Sequence, residues 1–181
     1  MNPVKSREEM EMERKKQMIA VVCGVKNSGK TTLLTGLVKN LTDRGLKTAV
    51  IKHDGHDFEC DIKGTDSFRM KEAGAYGTAV FSSYRIFIHK TGTGEKDEEL
   101  IGMFPEADVI LIEGMKESEY PKIEVIRKEI SKMPISNPKG RFLIVTDWES
   151  EIYDEPVMRF DQVEEIADRL LDQLQNRTKN Y

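Results

Sequence analysis

The sequence predicts an α/β fold in three layers, with a mainly parallel sheet and one inserted β-hairpin. Three observations carry that expectation. The apolar runs Met18–Cys23 and Val109–Ile112 lack period-2 alternation, as strands buried on both faces of a parallel sheet do. The first run leads through a glycine-rich turn into a helical repeat, Leu33, Leu34, Leu37, Val38 and Leu41, and then into a second strand-like run, Leu46–His53. That β-α-β order joins parallel strands by a right-handed crossover.

The remaining elements follow in order. Residues 1–17 form a separate N-terminal segment, charged throughout over 5–17, with Ser6-x-x-Glu9 as a capping box for a short helix. Residues 18–181 read as a single domain without repeat or linker. Gly45 stops the first long helix. The segment Asp54–Asp66 is a charged loop, Ser67–Ala73 a short helix stopped by Gly74. The runs GTAVFSS and YRIFIHK, residues 77–83 and 84–90, lie close enough to pair as a hairpin. After the polar turn TGTGEKDEE and a short helix ending before Pro105, ADVILIEG is a strand with an acid at its end. KIEVIR (122–127) and RFLIVTD (141–147) are further strands. A last helix, opened by Asp161 with Glu164 three residues on, presents Val163, Ile166, Ala167, Leu170, Leu171 and Leu174 on one face.

Bulk properties narrow the function classes. The chain has 181 residues and a net charge of −4, which disfavours a surface that coats nucleic acid. No apolar run approaches the roughly 18 residues of a membrane span, and the N-terminus lacks the apolar segment of a secretory signal. Two cysteines without a C-x-x-C pair fit a reducing compartment. Cys23 reads as a small buried hydrophobe.

Gly24-Val25-Lys26-Asn27-Ser28-Gly29-Lys30-Thr31, followed by Thr32, satisfies the phosphate-loop pattern G-x-x-x-x-G-K-[ST] in full. Such a loop needs glycines to reach positive φ and to bring backbone close to a ligand. Its successive amides and the positive end of the following helix then cradle phosphate oxygens. Lys30 is expected to reach the β- and γ-phosphates, and Thr31 to place its hydroxyl on Mg²⁺. With a strand before and a helix after, this motif makes the expected architecture a three-layer P-loop NTPase fold. Glu113 closes the apolar strand and precedes Gly114, so its carboxylate is expected at the ligand-binding edge, orienting water or Mg²⁺.

The loop after the second strand, His53-Asp54-Gly55-His56-Asp57-Phe58-Glu59-Cys60-Asp61-Ile62-Lys63-Gly64-Thr65-Asp66-Ser67, is dense in ionisable groups and expected near the active site. His53 and His56 suit an anion or a metal; His53, His56 and Cys60 are three zinc-type ligands without a clear fourth.

This loop, with GVKNSGKTT before it and LIEGMKESEYPKIEVIR after it, resembles the molybdopterin-guanine dinucleotide biosynthesis protein B (MobB) family over about residues 18–147. The resemblance implies a cytoplasmic GTP-binding, weakly GTP-hydrolysing P-loop protein. It also implies Mg²⁺ as cofactor and a homodimer that assists the MobA-type guanylyltransferase attaching GMP to molybdopterin. Carried over by position, Gly24 to Thr32 bind phosphates and Mg²⁺. Glu113 stands at the acidic strand end, and His53, His56, Asp57, Asp61, Lys116 and Arg127 flank the nucleotide or molybdopterin. One departure bears on base choice: the N-K-x-D signature of many GTP-binding proteins is absent. Thr146-Asp147 at the end of RFLIVTD offers either a substitute acceptor for the guanine N1–H and amine or a turn-forming aspartate. Two other functions stay open at this stage: a P-loop small-metabolite kinase, and a nucleotide-dependent adaptor in which hydrolysis plays no part. The hairpin is either a dimer surface or a core element.

Overall fold

The computed structural model describes residues 17–56, 58–92, 96–148 and 152–178. The N-terminal segment with Ser6 and Glu9, and Asp57 of the charged loop, lie outside the described residues. The chain divides into two compact units, Met1–His53 with Leu100–Tyr181, and Asp54–Glu99.

The first unit is built on six strands: β1 (Met18–Cys23), β2 (Thr48–Lys52), β5 (Val109–Glu113), β6 (Lys122–Ile126), β7 (Arg141–Thr146) and β8 (Val157–Arg159). Their spatial order is β2-β5-β1-β6-β7-β8, and each neighbouring pair is parallel. The three-residue β8 escapes the sequence reading, because Val-Met-Arg is too short to show a period.

Helices α1 (Lys30–Asp43) and α4 (Val163–Thr178) cover one face of this sheet. Leu33, Leu34, Leu37 and Leu41 of α1 are buried against Val22, Leu111, Val125 and Leu143, each such side chain contributing roughly 1.5–3 kcal/mol. Gly45, at φ 83°, ends α1 as expected: its N–H donates to Thr42 O at 2.9 Å and that of Leu46 to Leu41 O at 3.1 Å, the paired bonds of a Schellman stop. At the start of α4 the side chain of Gln162 accepts the Arg159 N–H at 2.8 Å, so the turn out of β8 and the helix entry share one hydrogen bond.

The opposite face is closed mainly by irregular chain. Val21, Cys23, Ile110 and Ile112 pack with Ile101, Ala107, Met115 and Tyr120. Farther along, β6 points Lys122 and Glu124 into this layer, both buried. The Glu124 carboxylate accepts the amides of Ile135 (2.7 Å) and Ser136 (3.0 Å) and the Ser136 hydroxyl, with the Arg141 guanidinium 3.8 Å away. Arg141 also holds Glu155 at 2.5 Å. The Lys122 ammonium donates to the carbonyls of Ser118, Asn137 (3.2 Å) and Lys139 (2.9 Å), while burial pushes its pKa below the ordinary lysine value. These charges anchor the connection between β6 and β7, which contains no helix, onto the sheet.

The second unit holds α2 (Asp66–Glu72), the antiparallel hairpin β3 (Gly77–Phe81) and β4 (Ile86–Lys90), and most of α3 (Asp97–Ile101). Thr65 caps α2, accepting the Phe68 N–H at 3.3 Å. The hairpin is a separate two-stranded sheet that leaves Val80, Phe81, Ile86 and Ile88 exposed. Among the described residues no helix is long and apolar enough to cross a membrane.

Cys23 is buried and Cys60 exposed; burial, with the Glu124 carboxylate nearby, pushes the Cys23 thiol up to about 12. Ellman titration is therefore expected to count one reactive thiol per native chain and two in denaturant. Two fast-reacting thiols in the native protein would contradict the packing of β1 against β6.

Candidate functional site

The carboxyl ends of β1, β2, β5, β6 and β7 carry the candidate residues of the first unit. A parallel sheet places ligands beyond this edge. The turn from β1 into α1 is built by backbone conformations few side chains adopt: Gly24 at φ 138°, Asn27 at 64° and Gly29 at 100°. At Gly24 the reason is contact as well as torsion, since a Cβ there would lie 2.3 Å from the Val125 carbonyl oxygen of β6. The glycine lets the loop leave β1 pressed against the neighbouring strand.

Gly29 caps α1 in the left-handed conformation, with no side-chain cap and no acidic residue in the first turn. The first helical bond it accepts comes from the Leu33 N–H, at 3.0 Å. Amides of Lys30, Thr31 and Thr32 thus stand ahead of the ladder, at the positive end of a 14-residue helix. Ser28 is fully buried within the turn, and its hydroxyl has no partner among the described residues. A buried polar atom without a partner costs roughly 1–3 kcal/mol, so the turn is incomplete without a further hydrogen-bonding group. The Lys30 ammonium folds back to the Val25 carbonyl at 2.7 Å, within the loop it is expected to serve.

Glu113 ends β5 next to β1, and its Oε1 lies 3.5 Å from the Thr31 hydroxyl. That separation is the outer limit of a hydrogen bond and suits two oxygens facing one shared cation. His53 directly follows β2 beside it, donating its N–H to Glu113 O at 2.9 Å. Gly114, at φ 105°, packs so closely that a Cβ would meet His53 O at 2.8 Å. The sheet therefore gathers Gly24–Thr32, Glu113 and His53 at one edge.

On the other side of β1, Arg127 follows β6 and Asp147 follows β7. Arg127 donates from Nε to the Ser28 carbonyl at 3.2 Å and from Nη1 to Asp147 Oδ2 at 3.4 Å. The Lys128 amide reaches Asp147 Oδ1 at 3.0 Å. Desolvation would raise the Asp147 pKa, but the Lys128 amide and the Arg127 guanidinium together outweigh it and hold the carboxyl below its usual range. Thr146 is fully buried, its hydroxyl unpartnered among the described residues. Lys26 and Asn27 are both exposed in the loop. Lys116 lies in the turn after β5, its carbonyl accepting the Asn137 N–H at 3.0 Å.

His56 and Asp61 belong to the second unit. There Asp61 Oδ1 accepts the Ile62 amide (2.8 Å) and the hydroxyls of Thr65 and Ser67 (both 3.2 Å), which shapes the entry into α2. No group of three or more His, Cys, Asp or Glu among the described residues is placed to hold a metal ion. Phe160, directly after β8, is the neighbour that sequence reading misses. The Arg127 guanidinium lies 4.0 Å from its ring centroid. A single aromatic after so short a strand carries no local signal.

Residues 18–147 match the family described as MobB: Molybdopterin guanine dinucleotide synthesis protein B. The chain is 32% identical over 150 residues to a molybdopterin-guanine dinucleotide biosynthesis adapter protein of Haemophilus influenzae, covering 81% of this chain and 84% of that protein. It is 30% identical over 156 residues to the Escherichia coli protein of the same name, covering 83% and 89%. The crystal structure of Bacillus subtilis MobB superposes with a TM-score of 0.71 at 28% identity, over 86% of this chain and 97% of that one.

Proposed function

The chain belongs to the molybdopterin guanine dinucleotide synthesis protein B family, and from that premise we propose that it is a GTP-binding adapter with slow GTP hydrolysis. In this reading it acts in the cytoplasm in molybdopterin guanine dinucleotide biosynthesis. It serves the MobA-type guanylyltransferase that joins GMP to molybdopterin. The observation that supports it best is the start of α1: an uncapped helix end, opened by a left-handed glycine, beside a buried hydroxyl without a partner. Phosphate oxygens supply acceptors for the free amides and for the Ser28 hydroxyl together.

The chain's residues divide the work by chemistry. Gly24 to Thr32 contribute backbone amides, and Lys30 exchanges its bond to the Val25 carbonyl for one to phosphate. Thr31 and Glu113 are the oxygen donors suited to Mg²⁺, the ion that neutralises phosphate charge when bound. Glu113 also serves to orient water at the strand end. The loop Gly24–Thr32 itself carries no arginine to act as a charge-stabilising finger, a group worth several orders of magnitude in rate, and the adjacent Arg127 is engaged by the Ser28 carbonyl and Asp147; slow turnover is the reading that fits. His53 borders the γ-phosphate side through its contact with Gly114. Lys116, in the turn after β5, is the group of the first unit offered to molybdopterin.

Self-association is assigned to the hairpin. A two-stranded sheet is marginal alone, and this one exposes Val80, Phe81, Ile86 and Ile88, a surface that pairing with a second copy would cover.

Two measurements test these assignments. Lys30→Ala should reduce GTP affinity by at least about 100-fold, equivalent to roughly 2.7 kcal/mol, with an unchanged circular dichroism spectrum; undiminished affinity would remove the phosphate loop from the account. In sedimentation, the wild-type chain should run as a dimer and Phe81→Asp/Ile88→Asp as a folded monomer. A double variant that stays dimeric would place the interface elsewhere.

A further inference from the structure

Arg127, Asp147 and Phe160 come from the ends of three adjacent strands and form one braced unit beside the phosphate loop. The guanidinium lies on the Phe160 ring at 4.0 Å, donates to the Ser28 carbonyl at 3.2 Å and pairs with Asp147 at 3.4 Å. Asp147 is fixed in turn by the Lys128 amide at 3.0 Å. A Cβ on Gly29 would come within 3.1 Å of both Arg127 Nη2 and Phe160 Cε1, so the unit rests directly on the helix cap.

The bracing leaves hydrogen-bonding capacity unused. Among the described residues Arg127 Nη2 makes no hydrogen bond, and the Asp147 carboxylate, which meets the Lys128 amide, the Arg127 guanidinium and its own backbone N–H, has four lone pairs for three bonds. Both side chains remain about one-third exposed, at 35% and 31%. A fixed donor fork therefore stands next to a fixed carboxylate at the loop's rim.

That pairing matches one nucleobase better than the other purine. Guanine shows two acceptors, N7 and O6, followed by the N1–H and exocyclic amine donors. Arginine is the donor-only fork suited to the first pair, and an ionised carboxylate accepts from the second. Adenine shows N7, then an amine donor, then the N1 acceptor. Its amine would confront the guanidinium and its N1 the carboxylate.

We infer that Arg127 and Asp147, braced by Phe160 and the Ser28 carbonyl, form the guanine-reading edge of the site, with Arg127 donating to N7 and O6 and Asp147 accepting from N1–H and the amine. The assignment rests on the phosphate-loop reading above. It gives the chain a base-selective element in place of the missing N-K-x-D signature. Phe160 is a positioning residue: it keeps the guanidinium flat and in register with the loop. Because Arg127 also bonds Ser28, the base edge and the phosphate cradle share one strut.

The test compares dissociation constants for GTP, ATP, 7-deaza-GTP and xanthosine triphosphate with Mg²⁺ on the full chain. Wild type should prefer GTP to ATP by about 100-fold or more. It should also bind 7-deaza-GTP, which lacks the N7 acceptor, about 10-fold more weakly than GTP, in the range of one good base contact. In Arg127→Lys, whose circular dichroism spectrum should match that of the wild type, the 7-deaza penalty should fall below about 2-fold. Asp147→Asn should shift preference toward xanthosine triphosphate, whose C2 carbonyl accepts from the new amide, and this arm stands alone if Arg127→Lys misfolds. An unchanged 7-deaza penalty in a folded Arg127→Lys, or no gain for xanthosine triphosphate in Asp147→Asn, overturns the inference. Equal wild-type affinity for GTP and ATP overturns it while sparing the phosphate loop, whereas binding of neither nucleotide overturns both.

Discussion

The turn that carries the chain from β1 into α1 is the constraint on which the site depends. Gly24 must lie against the Val125 carbonyl, and Gly29 must open the helix at positive φ. No side chain caps the resulting helix end. Most helices satisfy their first amides locally; this one keeps them available and buries a serine hydroxyl without a partner beside them. An anion placed there would supply the acceptors that those amides and the hydroxyl lack within the turn. The same geometry explains the use of the flanking strands, because the loop's carbonyls at Val25 and Ser28 hold Lys30 and Arg127 in readiness.

The second face of the sheet shows how that turn is kept in place. Where a helix would ordinarily cover β6 and β7, the chain buries Lys122, Glu124 and Arg141 and spends their hydrogen bonds on the β6–β7 connection. Burying charges costs several kcal/mol per ion unless every donor and acceptor is met, and here the lysine alone engages three carbonyls. Removing one partner from such a cluster costs about 3–5 kcal/mol. The device fixes Glu124 one residue from Val125, whose carbonyl abuts Gly24. Packing on the far face thus bears on the loop through a single strand.

Much of this was legible in the sequence, for reasons that differ by element. Buried parallel strands such as Val109–Ile112 announce themselves by unbroken apolar runs, and α1 by leucines at helical spacing. The glycine-rich turn is legible because its motif is contiguous in sequence, although Gly24 is also required by the Val125 carbonyl of a strand a hundred positions away. The strand Lys122–Ile126 is less so: alternation of Lys, Ile, Glu and Val suggests one wet face, yet all five residues are buried. Partners farther along the chain, at Ser136, Asn137 and Lys139, make those charges tolerable, and no local pattern encodes them. Phe160 was invisible for the same reason, since its meaning lies in Arg127, 33 positions earlier in the chain.

The most direct test of the central claim is a crystal structure with a non-hydrolysable GTP analogue and Mg²⁺. The account predicts phosphate oxygens on the amides of Lys30, Thr31 and Thr32, with the Lys30 ammonium turned from the Val25 carbonyl to the polyphosphate. An analogue bound at another place, with Lys30 still on Val25, would contradict it.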